Sequence, residues 1–492
     1  MANVYKHGTY GAYADSIGSV PAQSASVAVY IGTAPVNLIP GYAEKGLTNT
    51  PILISDHGGA LSKLGYSKDW DTFTLCEAIK VHFDNPVGNA APVVFINVLD
   101  PDVNRATEAK TVTLTFSNGR AYIDSDKIIV DTLTMTGKTL GVDYDVQYSH
   151  ISGRLSIVSI GETRISGTVE ATYYEVDVSN IDEAVIIGEA TDDGSYSGLG
   201  VVDMIYQTHN VIPSLLVAPK WSEKPAVYNA MMTKASKIGG HWDAFVLADI
   251  PLHDGTKAVD TIALAKAWQT NNGYTHAHSK VFFPQVVLTS GEVCHMSTMC
   301  AWLMMMTDIN NNGIPMETPS NKSIPVAKQY FGADSKNSGF DQNRGNMLNE
   351  VGITTAVYWG GSWVLWGGHT AAYKYGAITD AKVIFDNNIR MLMYVYNDFQ
   401  HDNAALIDTP MTKALSDTIK NREQAKADAL AAVGALIGKP VVEFRAAYND
   451  LGELVDGNFT WSFEGTPTPQ FKSGTLRVAY SDAGFESFYE EA

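Results

Sequence analysis

Met347–Tyr373 reads MLNEVGITTAVYWGGSWVLWGGHTAAY, two apolar runs separated by a pair of glycines. Val351–Trp359 is rich in β-branched and aromatic residues, and Gly360-Gly361 is a tight-turn signal. Ser362–Trp366 is the returning run, closed by Gly367-Gly368. The spacing predicts a β-hairpin that carries Trp359, Trp363 and Trp366. Strands this apolar need cover on one face and partners at their edges. The reading of the remaining chain therefore turns on what supplies that cover, and part of it is expected to come from other copies of the same chain.

Outward from the hairpin, upstream residues alternate between strand and helix patterns. Ser26–Ala34 (SVAVYIGTA), Pro51–Ser55 and Pro92–Leu99 (PVVFINVL) read as short buried strands. Between them lies a helix with Leu75, Cys76, Ile79 and Phe83 on one side, for which Asp71 and Thr72 are candidate caps. Strand, helix, strand in this order implies an α/β layer with parallel pairing. After Asp100-Pro101 the pattern becomes strictly β as far as about Val185, with Gly and Asn turn signals between alternating segments. The α/β pattern then returns: strands at Val211–Ala218, Trp242–Ala248, Ser279–Phe283 and Val286–Leu288, and helices at Lys224–Ile238 and Ala258–Asn271. Ser290 is read as the cap of a helix over Gly291–Asp308, whose Met304, Met305 and Met306 suit a packed core. Residues 310–346 read as loop.

Downstream, Asn388–Gln400 carries Ile389, Leu392, Met393, Tyr396 and Phe399 at helical spacing. A second helix is expected with Thr409 as cap and Pro410 in its first turn, ending at Gly438 and Pro440. Val441–Tyr448, Asn458–Glu464 and Thr475–Tyr480 (TLRVAY) alternate as strands. Residues 1–25 place Tyr5, Tyr10 and Tyr13 among Gly, Ala and Ser without a helical period, and are expected to be an extended arm.

Composition narrows the function. The chain has 492 residues, 45% of them hydrophobic and 18% charged, which is a globular composition sufficient for roughly two to four domains. A formal net charge of −19 without any Lys/Arg cluster argues against nucleic-acid binding. No run of apolar residues is long enough for a membrane span, and the start lacks a secretory signal pattern. Cys76, Cys294 and Cys300 sit in apolar contexts that suit buried thiols rather than a disulfide framework.

Chemistry-bearing motifs fail on inspection. Asp308-x-Asn310-x-Asn312-Gly313 matches the first half of a calcium loop, but Pro319 stands where the bidentate Glu belongs, so a post-helix turn is expected. His276 and His278, with His253 or His295, match no metal spacing and read as surface residues. Gly194–Gly198 has Tyr196 where a nucleophile elbow needs serine. No catalytic, cofactor or metal residue is assigned.

Ser26–Val36 (SVAVYIGTAPV), Leu75–Ile79 (LCEAI), Ala91–Pro101 (APVVFINVLDP), Leu348–Gly368 and the closing TLRVAY, in this succession, resemble the contractile tail sheath family of bacteriophages, R-type bacteriocins and related injection systems. The stretch Gly313–Pro325 lacks the tryptophan that the family carries there. The resemblance implies an α/β (α+β) multidomain protein: an arm over 1–25, a middle α/β domain over 26–103 and 186–345, an outer all-β domain over 104–185, an inner core domain facing the tube over 346–474, and a C-terminal arm over 475–492. It implies self-assembly into hexameric rings and a helical sheath around an inner tail tube protein, with baseplate and tail terminator proteins as further partners. Neither nucleic-acid binding nor membrane insertion is implied. The arms, with Tyr5, Tyr10, Tyr13, Leu476, Val478 and Tyr480, would donate strands to neighbours. The hairpin, through Val357, Trp359, Trp363 and Trp366, would receive them. Lys413, Lys420, Arg422 and Lys426 are candidate contacts to the tube or a neighbour. The implied setting is a virion tail or bacteriocin-like particle assembled in the bacterial cytoplasm. The alternatives are a hydrolase-like enzyme with a β accessory domain, or a passive phage structural protein.

Overall fold

The computed structural model describes residues 26–377 and 380–489. The organising element is an eight-stranded sheet. In chain order its strands and the helices around them are β1 (Val27–Gly32), β2 (Pro51–Ile54), α1 (Leu75–Phe83), β3 (Val93–Asn97), β4 (Pro213–Val217), α2 (Pro225–Ala235), β5 (Phe245–Asp249), α3 (Ile262–Asn271), β6 (Ser279–Phe282), α4 (Met296–Asn310), α5 (Gln342–Asn349), β7 (Ile353–Trp359) and β8 (Ser362–Trp366). Across the sheet the order is β8-β7-β6-β5-β4-β1-β3-β2. The six inner strands are parallel, as in Ala28↔Val93 and Leu247↔Lys280, while β2 and β8 are antiparallel edges. Every residue of β1, β3 and β5 is buried, as expected of parallel strands covered on both faces.

The hairpin forms as read. Gly360 and Gly361 both have positive φ, and Val357 faces Val364 across the pair. It does not open a separate unit, however. β7 pairs with β6 through Val281↔Ile353, so the expected division at 345/346 falls within one sheet.

Several expected boundaries move for local reasons. α1 is capped at Thr74, not at Asp71 or Thr72; Thr72 Oγ1 instead donates to Asp69. The Thr74 and Leu75 N–H groups donate to the Thr33 side chain and carbonyl, which pins the helix start to the end of β1. α4 begins at Met296, because Val293–Cys294 pairs with Gln285–Leu288 as a hairpin and Ser290 lies in its turn. The 310–346 region is not all loop: Val326–Tyr330 adds to that hairpin, and α5 packs on β7.

The expected all-β insertion is present as two three-stranded sheets within residues 110–173. It has its own core, in which Leu114, Ile123, Tyr144 and Ile157 pack together with Leu38 of the main body. Entry and exit lie side by side, since Arg105 bridges Val176 and the Asp177 N–H donates to the Asn104 carbonyl. A helix over Glu183–Ile187 straddles the expected boundary at 185/186, and Ile181 and Ile186 belong to the main core.

Beyond the sheet come α6 (Asp386–Asn403), α7 (Lys413–Ala432) and a two-stranded sheet of β9 (Leu436–Glu443) and β10 (Ser462–Pro467). α7 is capped by Thr412, whose side chain accepts from the Leu415 N–H, rather than by Thr409. It ends at Gly434, whose positive φ lets the Ala435 N–H return to the Leu430 carbonyl. Gly438 and Pro440, expected to end the helix, lie inside β9 and coincide with a break in its register. Thr475–Tyr480 forms no strand with any of the described residues.

Candidate functional site

The C-terminal segment is the most exposed apolar sequence of the described chain. Leu476, Val478 and Tyr480 are each more than four-fifths exposed, at alternate positions. Alternation with no partner strand is the pattern of a strand whose sheet lies elsewhere. Tyr5, Tyr10 and Tyr13 fall outside the described residues.

The tryptophan hairpin cannot receive such a strand along its middle. The Asn321 N–H donates to the Leu365 carbonyl, the Leu365 N–H to the Lys322 carbonyl, and the Ile324 N–H to the Trp363 carbonyl. The outer edge of β8 is thus covered by residues 321–324 of its own chain. Trp366 Nε1 donates to Asn346 Oδ1 at 2.8 Å, Val357 is buried, and Trp359 packs against Trp366. The role expected of Val357, Trp359, Trp363 and Trp366 is corrected accordingly: they hold the end of the main sheet together.

An unpaired strand edge lies further on. β10 pairs with β9 alone among the described strands. Beneath this pair, a groove of about 350 Å³ runs between α6, α7 and the two strands, lined mainly by apolar groups including Val395, Phe399, Leu430, Val442 and Phe463. Trp461 is among the lining residues, and its buried Nε1–H has no acceptor among the described residues. A strand edge with no further partner among the described residues thus lies beside an apolar groove.

The basic residues expected to contact the tube or a neighbour are largely engaged inside the chain. Lys413 Nζ is 2.6 Å from Asp417, and Arg422 reaches Glu423 and Asn403. Lys426 lies 2.7 Å from Asp398, 2.5 Å from Asp402 and 3.5 Å from Glu423. Lys420 helps, after the Lys413 hydrogen bond, to hold the Asp417 carboxyl below its ordinary range.

Two groups of charged residues went unnoticed in the sequence. At the junction of α6 with the main body, Lys280 Nζ meets Asp386 Oδ2 at 2.7 Å and also donates to the Gly367 and His369 carbonyls. One turn along α6, Arg390 pairs with Asp308, which also accepts from Ser26. Asp308 therefore belongs to an ion pair, not to a calcium loop, and the Asn312-Gly313 turn with positive φ follows the helix. The available signals were a lysine inside an apolar strand and Asp386/Arg390 at helical spacing. At the carboxyl ends of β1, β4 and β5, Glu77, Glu223 and Asp249 gather around His295. His295 departs from the expected surface reading. The cysteines are free and buried, as expected.

No protein-family model matches the sequence. A curated protein of Pseudomonas aeruginosa (strain UCBPP-PA14) named "Putative prophage major tail sheath protein" is 26% identical over 307 residues, 61% of this chain and 73% of that one. A chain in the contracted PVC sheath complex, an extracellular contractile injection system, superposes with a TM-score of 0.56 at 11% identity, over 98% of this chain and 100% of that one. The chain resembles the contractile tail sheath proteins. A chain from the baseplate of the anti-feeding prophage gives a TM-score of 0.55 at 14% identity, over 96% of this chain and 99% of that one. The fold likeness thus spans nearly the whole chain, insertion and C-terminal sheet included. The relatives are structural proteins of phage-tail and injection particles, and among the described residues no helix is long and apolar enough to cross a membrane.

Proposed function

We propose that this chain is the structural subunit of a contractile tail sheath. Copies polymerise as stacked hexameric rings around an inner tail tube, and contraction drives the tube through a target cell envelope. The observation that carries this reading is the likeness to a contracted sheath chain over nearly full length. The β9–β10 pair and the Leu476–Tyr480 segment support it, because a strand edge and a strand-like segment, neither with a partner among the described residues, reside on the same molecule. Strand donation between copies uses main-chain hydrogen bonds for affinity and alternate side chains for fit. Leu476, Val478 and Tyr480 are the donated side chains, the β9–β10 groove is the acceptor, and residues 1–25 act as a second arm. The tube protein, baseplate and tail terminator complete the particle, a virion tail or a bacteriocin-like machine assembled in the host cytoplasm. The subunit does mechanical work rather than catalysis.

Negative-stain microscopy of the purified chain, alone and co-expressed with its tube protein, tests the proposal. Regular sheath-like tubes are expected. A uniformly monomeric protein under both conditions, at concentrations where related sheaths assemble, contradicts it.

A further inference from the structure

The cluster around His295 occupies the mouth of the sheet, where parallel α/β folds usually leave a crevice. Here the crevice is filled by side chains from five elements. Glu77 comes from the first turn of α1, Glu223 from the turn after β4, Asp249 from the end of β5, Gln285 from the strand after β6, and His295 from the N-cap of α4. His295 Nδ1 lies 2.7 Å from Glu77 Oε2, and its backbone N–H donates to Glu77 Oε1 at 3.1 Å. On the ring's other side, Nε2 is 3.4 Å from Glu223 Oε1 and 3.1 Å from Gln285 Nε2. The site offers each protonation state a partner: a protonated Nε2 faces the Glu223 carboxylate, and a bare Nε2 accepts from Gln285. Asp249 Oδ1 accepts from the Ser297 N–H of α4, while the buried Oδ2 has no partner among the described residues. The other titratable groups facing the cluster are Tyr30 on β1, Tyr274 after α3, Cys294 and Glu292 of the hairpin before α4, and Cys300 on α4. None of these carries positive charge, so three carboxylates share one imidazolium.

We propose that Glu77, Glu223, Asp249 and His295 form a proton-dependent clamp across the carboxyl mouth of the sheet, tight in mild acid and loosened as the pH rises. The clamp joins the start of α1, the turn after β4, the end of β5 and the N-cap of α4. Burial raises the Asp249 carboxyl to about 7, with the charge of His295 opposing it. Burial alone would lower the His295 imidazole, but Glu77 and Glu223 outweigh that and hold it well above its ordinary value. Both signs agree. A raised carboxyl binds a proton in the folded state that the unfolded chain has already released, so stability falls with pH between the unfolded and folded values. The stability from a raised histidine is full below its unfolded value and is lost as the pH passes its folded one.

Thermal unfolding of the full chain between about pH 5.5 and 8.5 tests this, with one linked proton changing the unfolding equilibrium by about tenfold per pH unit. The wild-type Tm is expected to fall as pH rises. Asp249→Asn should flatten the lower half of that fall, and His295→Gln the upper half. General repulsion from a formal charge of −19 changes by at most one charge in either variant, so the difference among the three proteins reports the clamp. A wild-type Tm that is flat or rising, or variants that keep the full slope, overturns the proposal. Should a variant fail to fold, hydrogen exchange of the wild type decides: protection at the end of β5 and the first turn of α4 must drop with pH beyond the chemical rate, and unchanged protection overturns it.

Discussion

At the residue scale, the decisive contacts are charges placed where the sequence is otherwise apolar. Lys280 is fully buried on β6 and its ammonium meets a carboxylate and two carbonyls, so all three of its donors are used. Removing one member of a buried pair strands the other, which costs about 3–5 kcal/mol. Lys280→Met is therefore expected to lower stability by that order in denaturant titration. Lys280→Met/Asp386→Asn should recover a substantial part of it, because no uncompensated charge remains. Equal loss in both proteins would show that packing, and not charge, holds this junction. Lys426 presents the opposite case, one cation among Asp398, Asp402 and Glu423 at the partly buried helix seam. Burial works to raise the Asp402 carboxyl, but the Lys426 and His401 hydrogen bonds prevail and hold it low. Stability from such a group is present above its unfolded value and is lost as pH falls through the folded one. Lys426→Gln should cost about 1–3 kcal/mol at neutral pH, and the gap to wild type should shrink below about pH 4 as the Asp402 carboxylate protonates.

At the scale of elements, the C-terminal segment contributes exposure and no packing. A strand of about five residues adds several main-chain hydrogen bonds on docking, each worth about 0.5–1.5 kcal/mol net. One docking event is modest, but in a lattice where each copy donates and receives the effect multiplies. Deleting the chain from Thr475 onward should leave a monomer with near-native circular dichroism that forms no long tubes, even with tube protein present. Normal polymerisation of the truncated chain would remove the donor role, and an unfolded monomer would show that the segment serves its own subunit. The same scale explains the misplaced receiver. The tryptophan hairpin has the right residues for a strand edge, yet residues 321–324 reach it first. Those residues read as loop because Pro, Asn and Gly dominate their surroundings, and irregular backbone that pairs with an edge leaves no periodicity to detect.

At the scale of the whole molecule, the insertion enters and leaves through one paired set of segments around Arg105 and Val176, and it also bonds the body at Asn37, Gly41, Tyr66 and Ser67. Replacing residues 106–174 with a short Gly/Ser linker joins positions already adjacent, so the main sheet should form and the protein should remain soluble. The cost falls on the face of the body that meets the insertion. Ile129 leaves the main core, Leu38 loses its apolar cover, Asn37 loses the Asp126 and Ile128 carbonyls to which its amide donates, and the Gly41 N–H, the Tyr66 N–H and the Ser67 hydroxyl lose Asp131, His150 and Asp126. A Tm a few degrees lower with tube formation intact is the expected result; loss of assembly from a folded monomer would place lattice contacts on the insertion. The cut ends at 174, short of the sequence-based boundary, because Val176, Ile181 and Ile186 pack in the main core.

Much of this architecture was legible in the sequence alone. Parallel strands covered on both faces must be continuously apolar, so VAVYIG, VVFIN and FVLAD announced themselves, and the strict alternation after Asp100 marked the insertion. The glycine pair at 360–361 located the hairpin turn because few other residues accept positive φ twice in succession. Pairing partners, by contrast, are set by contacts between residues far apart in the chain, which no local pattern encodes. Only the tertiary structure could decide that β7 joins β6, that residues 321–324 close the edge of β8, and that β10 pairs with β9 alone among the described strands. The same holds for the buried charges. Glu77 and His295 lie 218 positions apart, and Lys280 and Asp386 lie 106 apart. A charged side chain reads as surface until the fold brings its counter-charge within hydrogen-bonding distance, because only that contact offsets the desolvation of burying it.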